Sequence, residues 1–336
     1  MKIELDYTHY NAWFEACTQV ATLREKSLWE HKNFYGILGD IKEKTTEELR
    51  EYFEKRPGLS SYFARLYLTE GIGGGAGYQS CAALVFAQWA KQLGLFKITD
   101  RFLDIGTGVG TLPFALNAEE VHGFDRIFEL VQVCQEIATL LKKKQHFYWC
   151  QDFLEPWALA PEQKYSHLCL GLVLHQLRDS LALFHLLRES FQALLPHGNL
   201  YITLPAQMIG SRSAYQFLMN ALEACGFVPH QNHCGMIFSS DFSARSFFWM
   251  FVFHLEKHGR SFLSHSPSFL PVMSTLKLRQ TRGKKRERIR LAVLAEPQET
   301  LHSVFRFISG SALCALTLDQ EWDYYHLKNI CLDFKN

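Results

Sequence analysis

The residues whose types and spacing suit chemistry lie between positions 101 and 125. Asp104 is followed at alternate positions by Gly106, Gly108 and Gly110. Phe102, Leu103 and Ile105 make a short apolar run around the acid, the pattern of a buried strand. A helical apolar segment follows at 112–116, then a second strand-like run at 121–124 that ends in Asp125, twenty-one residues after Asp104. Strand, glycine turn, helix, strand, acid is the layout of a nucleotide-binding βαβ unit. An acid at the end of the second strand is placed to accept from both hydroxyls of a ribose.

The dinucleotide fingerprint wants glycine at the first, third and sixth positions of the turn. Here Thr111 holds the sixth and the additional glycine, Gly110, holds the fifth. Asp104 stands two residues before the first glycine, where a carboxylate would repel a pyrophosphate. It suits a ligand carrying positive charge. S-adenosylmethionine has an ammonium and a sulfonium and no phosphate, and the glycines would then serve close backbone approach. The run Asp104-Ile105-Gly106-Thr107-Gly108-Val109-Gly110 resembles the first motif of the class I S-adenosylmethionine-dependent methyltransferases, whose fold is Rossmann-like.

That resemblance implies roles for individual residues. Asp104 would face the amino group of the cofactor. Gly106, Gly108 and Gly110 would let the backbone approach it, and Asp125 would take the ribose hydroxyls. A third strand at 146–150 leads to Asp152, which matches the family's acid that accepts from the adenine amine, with Phe153 able to pack on the adenine ring. The strand at 167–174 runs into Val173-Leu174-His175-Gln176-Leu177, similar to the family's Val-Leu-His-His-Leu-like run with Gln176 in place of the second histidine. His175 is the candidate general base for an acceptor that must lose a proton; a histidine among apolar residues is also a common packed core residue. One departure stands out. The family usually carries an acid near the opening of this strand, and Tyr165-Ser166-His167 has none.

The elements that must position these residues can be followed along the chain. Residues 1–70 read as a helical N-terminal cap. Trp13, Phe14, Cys17, Val20 and Ala21 fall at helical spacing within 10–28, and Thr45-Thr46-Glu47-Glu48 looks like a capped helix start running to Lys55, before Arg56-Pro57-Gly58. In the resembled family such helices often cover the acceptor pocket. Residues 71–77 hold five glycines, a hinge or a loop against the methionine end of the cofactor, with Tyr78 and Gln79 beside it. Helices are expected at 80–93, 127–141, 181–195 and 213–225, the last ended by Gly226. A turn at 196–199 precedes a strand at 200–204, and 236–238 with 247–255 would form a closing antiparallel hairpin. The resemblance covers roughly 71–258, the expected cofactor-binding domain. Residues 259–336 form a small C-terminal α+β addition. Its hairpin, at 276–294, carries Lys277, Arg279, Arg282, Lys284, Lys285, Arg286, Arg288 and Arg290 against Glu287 alone, a local charge of +7. That is either a nucleic-acid or phosphate contact or an edge whose cations block sheet-to-sheet association. A helix at 319–334 would dock to the body.

The 336 residues can bury a sizeable core, and the formal charge of +1 points to no partner class. Nine cysteines without Cys-x-x-Cys spacing imply buried thiols, no metal site and a reducing, cytoplasmic setting. No apolar run reaches membrane-span length, and the N-terminus has no signal-peptide character. The expected fold is α/β, a doubly wound and mainly parallel sheet with the helical cap and the C-terminal addition. The expected activity is S-adenosylmethionine-dependent methyl transfer to an unidentified acceptor. The resembled family's mark for methylating exocyclic amines or amides, an Asn-Pro-Pro-Tyr or Asp-Pro-Pro-Tyr run, does not occur, which weighs against a nucleic-acid base, and the Val173–Leu177 run looks more like the family's small-molecule branch, with a protein acceptor also open. Two other readings compete: a cofactor-fold scaffold without catalysis, and a nucleic-acid-directed enzyme using the basic hairpin.

Overall fold

In a computed structural model, the described residues are 8–25, 34–42, 44–73, 86–87, 90–91, 94–160, 162–177, 179–205, 212–229, 235–240, 247–258 and 307–309. The central sheet is built from β1 (Arg101–Ile105), β2 (Glu120–Asp125), β3 (His146–Cys150), β4 (Tyr165–Gly171), β5 (Leu194–Pro205), β6 (Phe227–Pro229), β7 (Gly235–Ser240), β8 (Phe247–Lys257) and β9 (Phe307–Ser309). Its order is β3-β2-β1-β4-β5-β8-β7-β9, with β6 also paired to β8. β1 to β5 are mutually parallel. β8 runs antiparallel to β5 and forms the expected closing hairpin with β7. β9 extends the sheet beyond β7. The order reverses at β1, which has β2 on one side and β4 on the other, the switch point where ligands bind in such sheets.

Period-two alternation sorts the strand residues onto two faces. Phe102, Val121, Tyr148, Cys169 and Tyr201 join one apolar core. Leu103, Ile105, Phe124, Leu168, Leu170, Leu200 and Ile202 join the other. With both faces covered, β1, β4 and the second half of β5 read as near-continuous apolar runs. The first face carries α1 (Thr8–Thr22), α2 (Phe34–Ile41), α3 (Thr46–Glu54), α4 (Leu59–Gly73), α5 (Thr111–Leu116) and α6 (Phe128–Leu140). The second carries α7 (Ser180–Ala193) and α8 (Arg212–Ala224). The fold is α/β and doubly wound, as expected. The β3–β4 connection departs from the usual pattern. Among its described residues there is no helix, and the buried Trp157 lies edge-on to Phe124, ring centroids 5.4 Å apart.

The N-terminal helices share a core with α5 and α6, so the cap is continuous with the body. The first helix stops at Thr22, short of the expected 28. Beyond it Arg24 reaches across to Glu129 at 3.2 Å and Glu136 at 2.8 Å on α6. α3 follows its sequence signals: the Glu48 amide donates to Thr45 Oγ1 and the Thr45 amide to the Glu48 carboxylate, a reciprocal capping box. α4 continues through Gly71 and Gly73, so the first part of the glycine-dense stretch is helix rather than loop. Gly74 to Gly77, Tyr78 and Gln79 lie outside the described residues, as do the basic hairpin at 276–294 and the helix expected at 319–334. Arg126 donates to the carbonyls of Lys42 and Lys44 at 3.0 and 2.9 Å. A cation is thereby fixed just past the C-terminal end of α2, where the helix dipole favours it.

One turn differs from expectation. The strand at 200–204 begins earlier, at Leu194, and passes residues 195–198 as an irregularity: Tyr165 pairs with Leu194, but His167 pairs with Asn199. The left-handed residue there is His197, at φ 60°, rather than Gly198. Its ring instead meets Glu256 on β8 at 2.6 Å. Gly226, by contrast, behaves as expected, with φ 88° in the turn that ends α8. A Cβ there would lie 2.6 Å from the Phe191 ring. Gly226→Ala is therefore expected to lower unfolding stability by at least the left-handed penalty of about 1–2 kcal/mol, measured by denaturant titration.

Among the described residues no helix is long and apolar enough to cross a membrane. Cys17, Cys134, Cys169 and Cys225 are buried thiols, and Cys150 is exposed.

Candidate functional site

β1 ends in Asp104 and Ile105, and the alternation sends Ile105 into the second core and Asp104 to the cap side. Asp104 is 5% exposed and accepts the Thr107 hydroxyl at 2.8 Å. Among the described residues no cation is in ion-pair contact with it. Burial pushes its carboxyl up to about 7; the Thr107 hydroxyl pulls the other way, and the neighbouring Asp125 adds to the rise. An acid left in this state favours a ligand that brings positive charge.

The glycine turn is shaped by left-handed backbone at Gly106, Gly108 and Gly110, with φ of 65°, 54° and 70°. Space is tight as well. A Cβ on Gly106 would meet Val173 Cγ2 at 2.8 Å, and one on Gly108 would meet the Tyr67 hydroxyl at 2.7 Å. The amides of Gly106 and Thr107 donate to the Phe124 carbonyl, that of Gly110 to the Thr107 carbonyl, and that of Gly108 to Asp125 Oδ2. The carbonyl of Gly108 accepts from the Cys134 thiol and that of Val109 from the Trp13 indole. These four amides are engaged within the protein and are not offered to a phosphate.

Asp125 closes β2. Its two oxygens accept from the Gly108 amide at 3.1 Å and the Ile127 amide at 3.0 Å. Burial raises its carboxyl above the usual range; the Ile127 and Gly108 amides and Arg126 oppose this, and Asp152 adds to it. Asp152, 9% exposed, follows β3 and accepts the Leu154 amide at 2.9 Å. Phe153 is partly buried against the second core, and its carbonyl accepts the Trp157 indole. The acids therefore sit on neighbouring strand ends: Asp104 after β1, Asp125 after β2 and Asp152 after β3.

A cleft of about 520 Å3, its open mouth included, lies over the ends of β1, β4 and β5. Asp104, Gly106, Thr107, Thr111 and Thr203 contribute polar atoms; Phe86, Val109, Leu112 and Leu172 make apolar wall; Tyr67 comes from α4. Of the residues expected from sequence, Asp104 and Gly106 line it. Gly108, Gly110, Asp125, Asp152 and Phe153 surround the turn and the adjoining strand ends. His175 lies in a 3-10 turn, Leu174–Gln176, just past β4, and its side chain lies outside the described residues.

Sequence reasoning passed over Tyr67, Thr107, Thr111, Leu172 and Thr203. Thr107 and Thr111 were within the motif. Thr203 carried one legible signal, its place at the end of an apolar strand. Leu172 takes φ 57°, and its amide donates to both the Thr203 carbonyl and hydroxyl. The missing acid near Tyr165 has no bearing on this end of the sheet. His167 pairs with Asp100 at 2.7 Å and stacks on Tyr201, toward the opposite ends of the strands.

No protein-family model matches the chain, and no curated protein matches it. Among solved structures, the chain is similar to a SAM dependent methyltransferase from Aquifex aeolicus, at 15% identity and TM-score 0.39, over 64% of this chain and 100% of that one. It is also similar to the [4+2]-cyclase SpnF, at 14% identity and TM-score 0.40, over 52% of this chain and 80% of that one. A third is the YcgJ protein of Bacillus subtilis, at 14% identity and TM-score 0.39, over 52% of this chain and 98% of that one. At these identities and scores the matches assign no activity to this chain.

Proposed function

We propose that this protein is an S-adenosylmethionine-dependent methyltransferase with a small-molecule acceptor. The observation that carries the reading is the buried Asp104 carboxylate, in a cleft beside a glycine turn in which the amides of Gly106, Thr107, Gly108 and Gly110 are engaged within the protein. That combination favours a cationic nucleoside over a dinucleotide.

When bound, the cofactor supplies a methyl group already activated on a sulfonium. The work left to the protein is binding, orientation and exclusion of water, and proximity can provide most of the acceleration. In this reading Asp104 holds the ammonium. Asp125, fixed by the Gly108 and Ile127 amides, accepts from the ribose hydroxyls. Asp152 accepts from the adenine amine, and Phe153 covers the ring. Phe86, Val109, Leu112 and Leu172 supply the apolar wall that keeps water out of the cleft. His175, just past β4, takes a proton when the acceptor must lose one.

Calorimetric titration with S-adenosylmethionine, S-adenosylhomocysteine and NAD tests the proposal. Binding of the first two alone is expected, followed by methyl transfer in an acceptor screen. Binding of NAD instead would overturn the reading of the turn. Cofactor binding without transfer to any acceptor class would return the protein to the scaffold reading.

A further inference from the structure

β3 stands at one end of the sheet, and among the described residues no strand pairs with its outer edge. The Gln145 carbonyl accepts from the Val121 amide, and the Gln151 amide donates to the Asp125 carbonyl, so the odd-numbered residues turn their backbone groups toward β2. Those of His146, Tyr148 and Cys150 point the other way. The Tyr148 carbonyl accepts the Gln135 side chain from α6 at 3.0 Å and keeps a second lone pair. The strand reads His-Phe-Tyr-Trp-Cys. It has no lysine, no proline and no bulge in its register with β2, the devices that usually keep a sheet edge from pairing with another chain.

The side chains along this edge form a pattern. Phe147 is 54% exposed, Leu140 ahead of the strand 45% and Leu154 beyond it 37%. Phe147 shares its face with Trp149, on the side where the β3–β4 connection supplies no helix among its described residues. Exposed Lys142 and Lys144 precede the strand, and Asp152 and exposed Glu155 follow it. Lys142 and Asp152 lie at equal sequence distances on either side of Phe147, and so do Leu140 and Leu154. About Phe147 the segment is therefore symmetric in its apolar residues and antisymmetric in its charges. Such a segment complements an antiparallel copy of itself, as a two-fold interface requires. A parallel copy would set lysines against lysines.

We infer that a second copy of this chain pairs with the β3 edge, antiparallel and about a two-fold axis at Phe147, joining the two sheets into one. The two Phe147 rings then form a non-hydrogen-bonded pair, the kind whose side chains stand closest, while His146 of each copy exchanges backbone hydrogen bonds with Tyr148 of the other. The basic end of each strand meets the acidic end of its mate, and Leu140 meets Leu154. This assembly is independent of the methyl-transfer reading.

Sedimentation velocity on the full chain tests it. A dimer is expected at about 10 µM protein. Phe147→Lys puts like charges opposite each other on the axis and is expected to raise the dimer dissociation constant at least about tenfold. Lys142→Glu is expected to raise it about fivefold, through the two symmetry-related contacts. Adding Glu155→Lys to Lys142→Glu in the same chain is expected to restore most of that loss, because the exchanged charges meet between copies while lying at opposite ends of the strand within one. All three positions are exposed, and an unchanged thermal unfolding midpoint of the monomer shows that each variant is folded. A wild-type chain that stays monomeric to about 100 µM would overturn the proposal. So would a dimer that Phe147→Lys leaves intact, or a charge-exchanged double variant that associates no more tightly than Lys142→Glu alone.

Discussion

Asp104→Asn is expected to stabilise the ligand-free protein above neutral pH and at the same time to weaken S-adenosylmethionine binding about 30-fold or more. The two effects share one cause. Burial lifts the folded-state carboxyl from its ordinary 3.8 to about 7. The folded chain therefore holds a proton that the unfolded chain releases between these values, and stability falls as pH rises across that window, with the full penalty present above about 7. At about 1.4 kcal/mol per pKa unit the penalty is on the order of 4 kcal/mol at most. Asparagine removes the charge and keeps an acceptor for the Thr107 hydroxyl, so the variant should show a flatter stability profile from pH 4 to 8. Binding runs the other way. A cationic ligand needs Asp104 ionised, so wild-type affinity should climb toward a plateau above about 7, and the variant should lose that dependence. Denaturant titrations and calorimetry at pH 5 and pH 8 read both quantities. A variant less stable than wild type at pH 8, with undiminished affinity, would remove Asp104 from the binding site.

Asp125→Ala is expected to have the opposite effect on stability, although both acids are buried. Asp104 is held by one hydroxyl, whereas Asp125 is built into the backbone through the Gly108 and Ile127 amides. Alanine leaves two inward-facing donors without that acceptor, at about 1–3 kcal/mol each where water cannot replace it. That exceeds the relief from removing an acid whose rise is already opposed by those same amides and Arg126. Affinity for S-adenosylmethionine, S-adenosylhomocysteine and methylthioadenosine should fall together, by about 100-fold for two lost ribose hydrogen bonds. Unchanged affinity in Asp125→Ala would sink the ribose assignment.

The sequence by itself determined the parts whose physics is local. The apolar run around Asp104, the alternate glycines and the acid at the end of the next strand gave the βαβ unit, because strand burial, left-handed turns and strand ends each leave a mark within a few residues. The capping box at Thr45 and Glu48 and the left-handed Gly226 were legible for the same reason. Tertiary structure alone decided which side chains share a space. Thr203 on β5 and Asp104 on β1 face one cleft because β4 lies between those strands and the pleat sends both side chains to the cap side. Tyr67 reaches Gly108, and Trp13 reaches Val109, because the N-terminal helices join the same core as α5 and α6. No spacing within either segment encodes those meetings. The protonation behaviour of Asp104 was equally hidden: its identity is in the sequence, but the burial that raises it belongs to the packed cap and sheet.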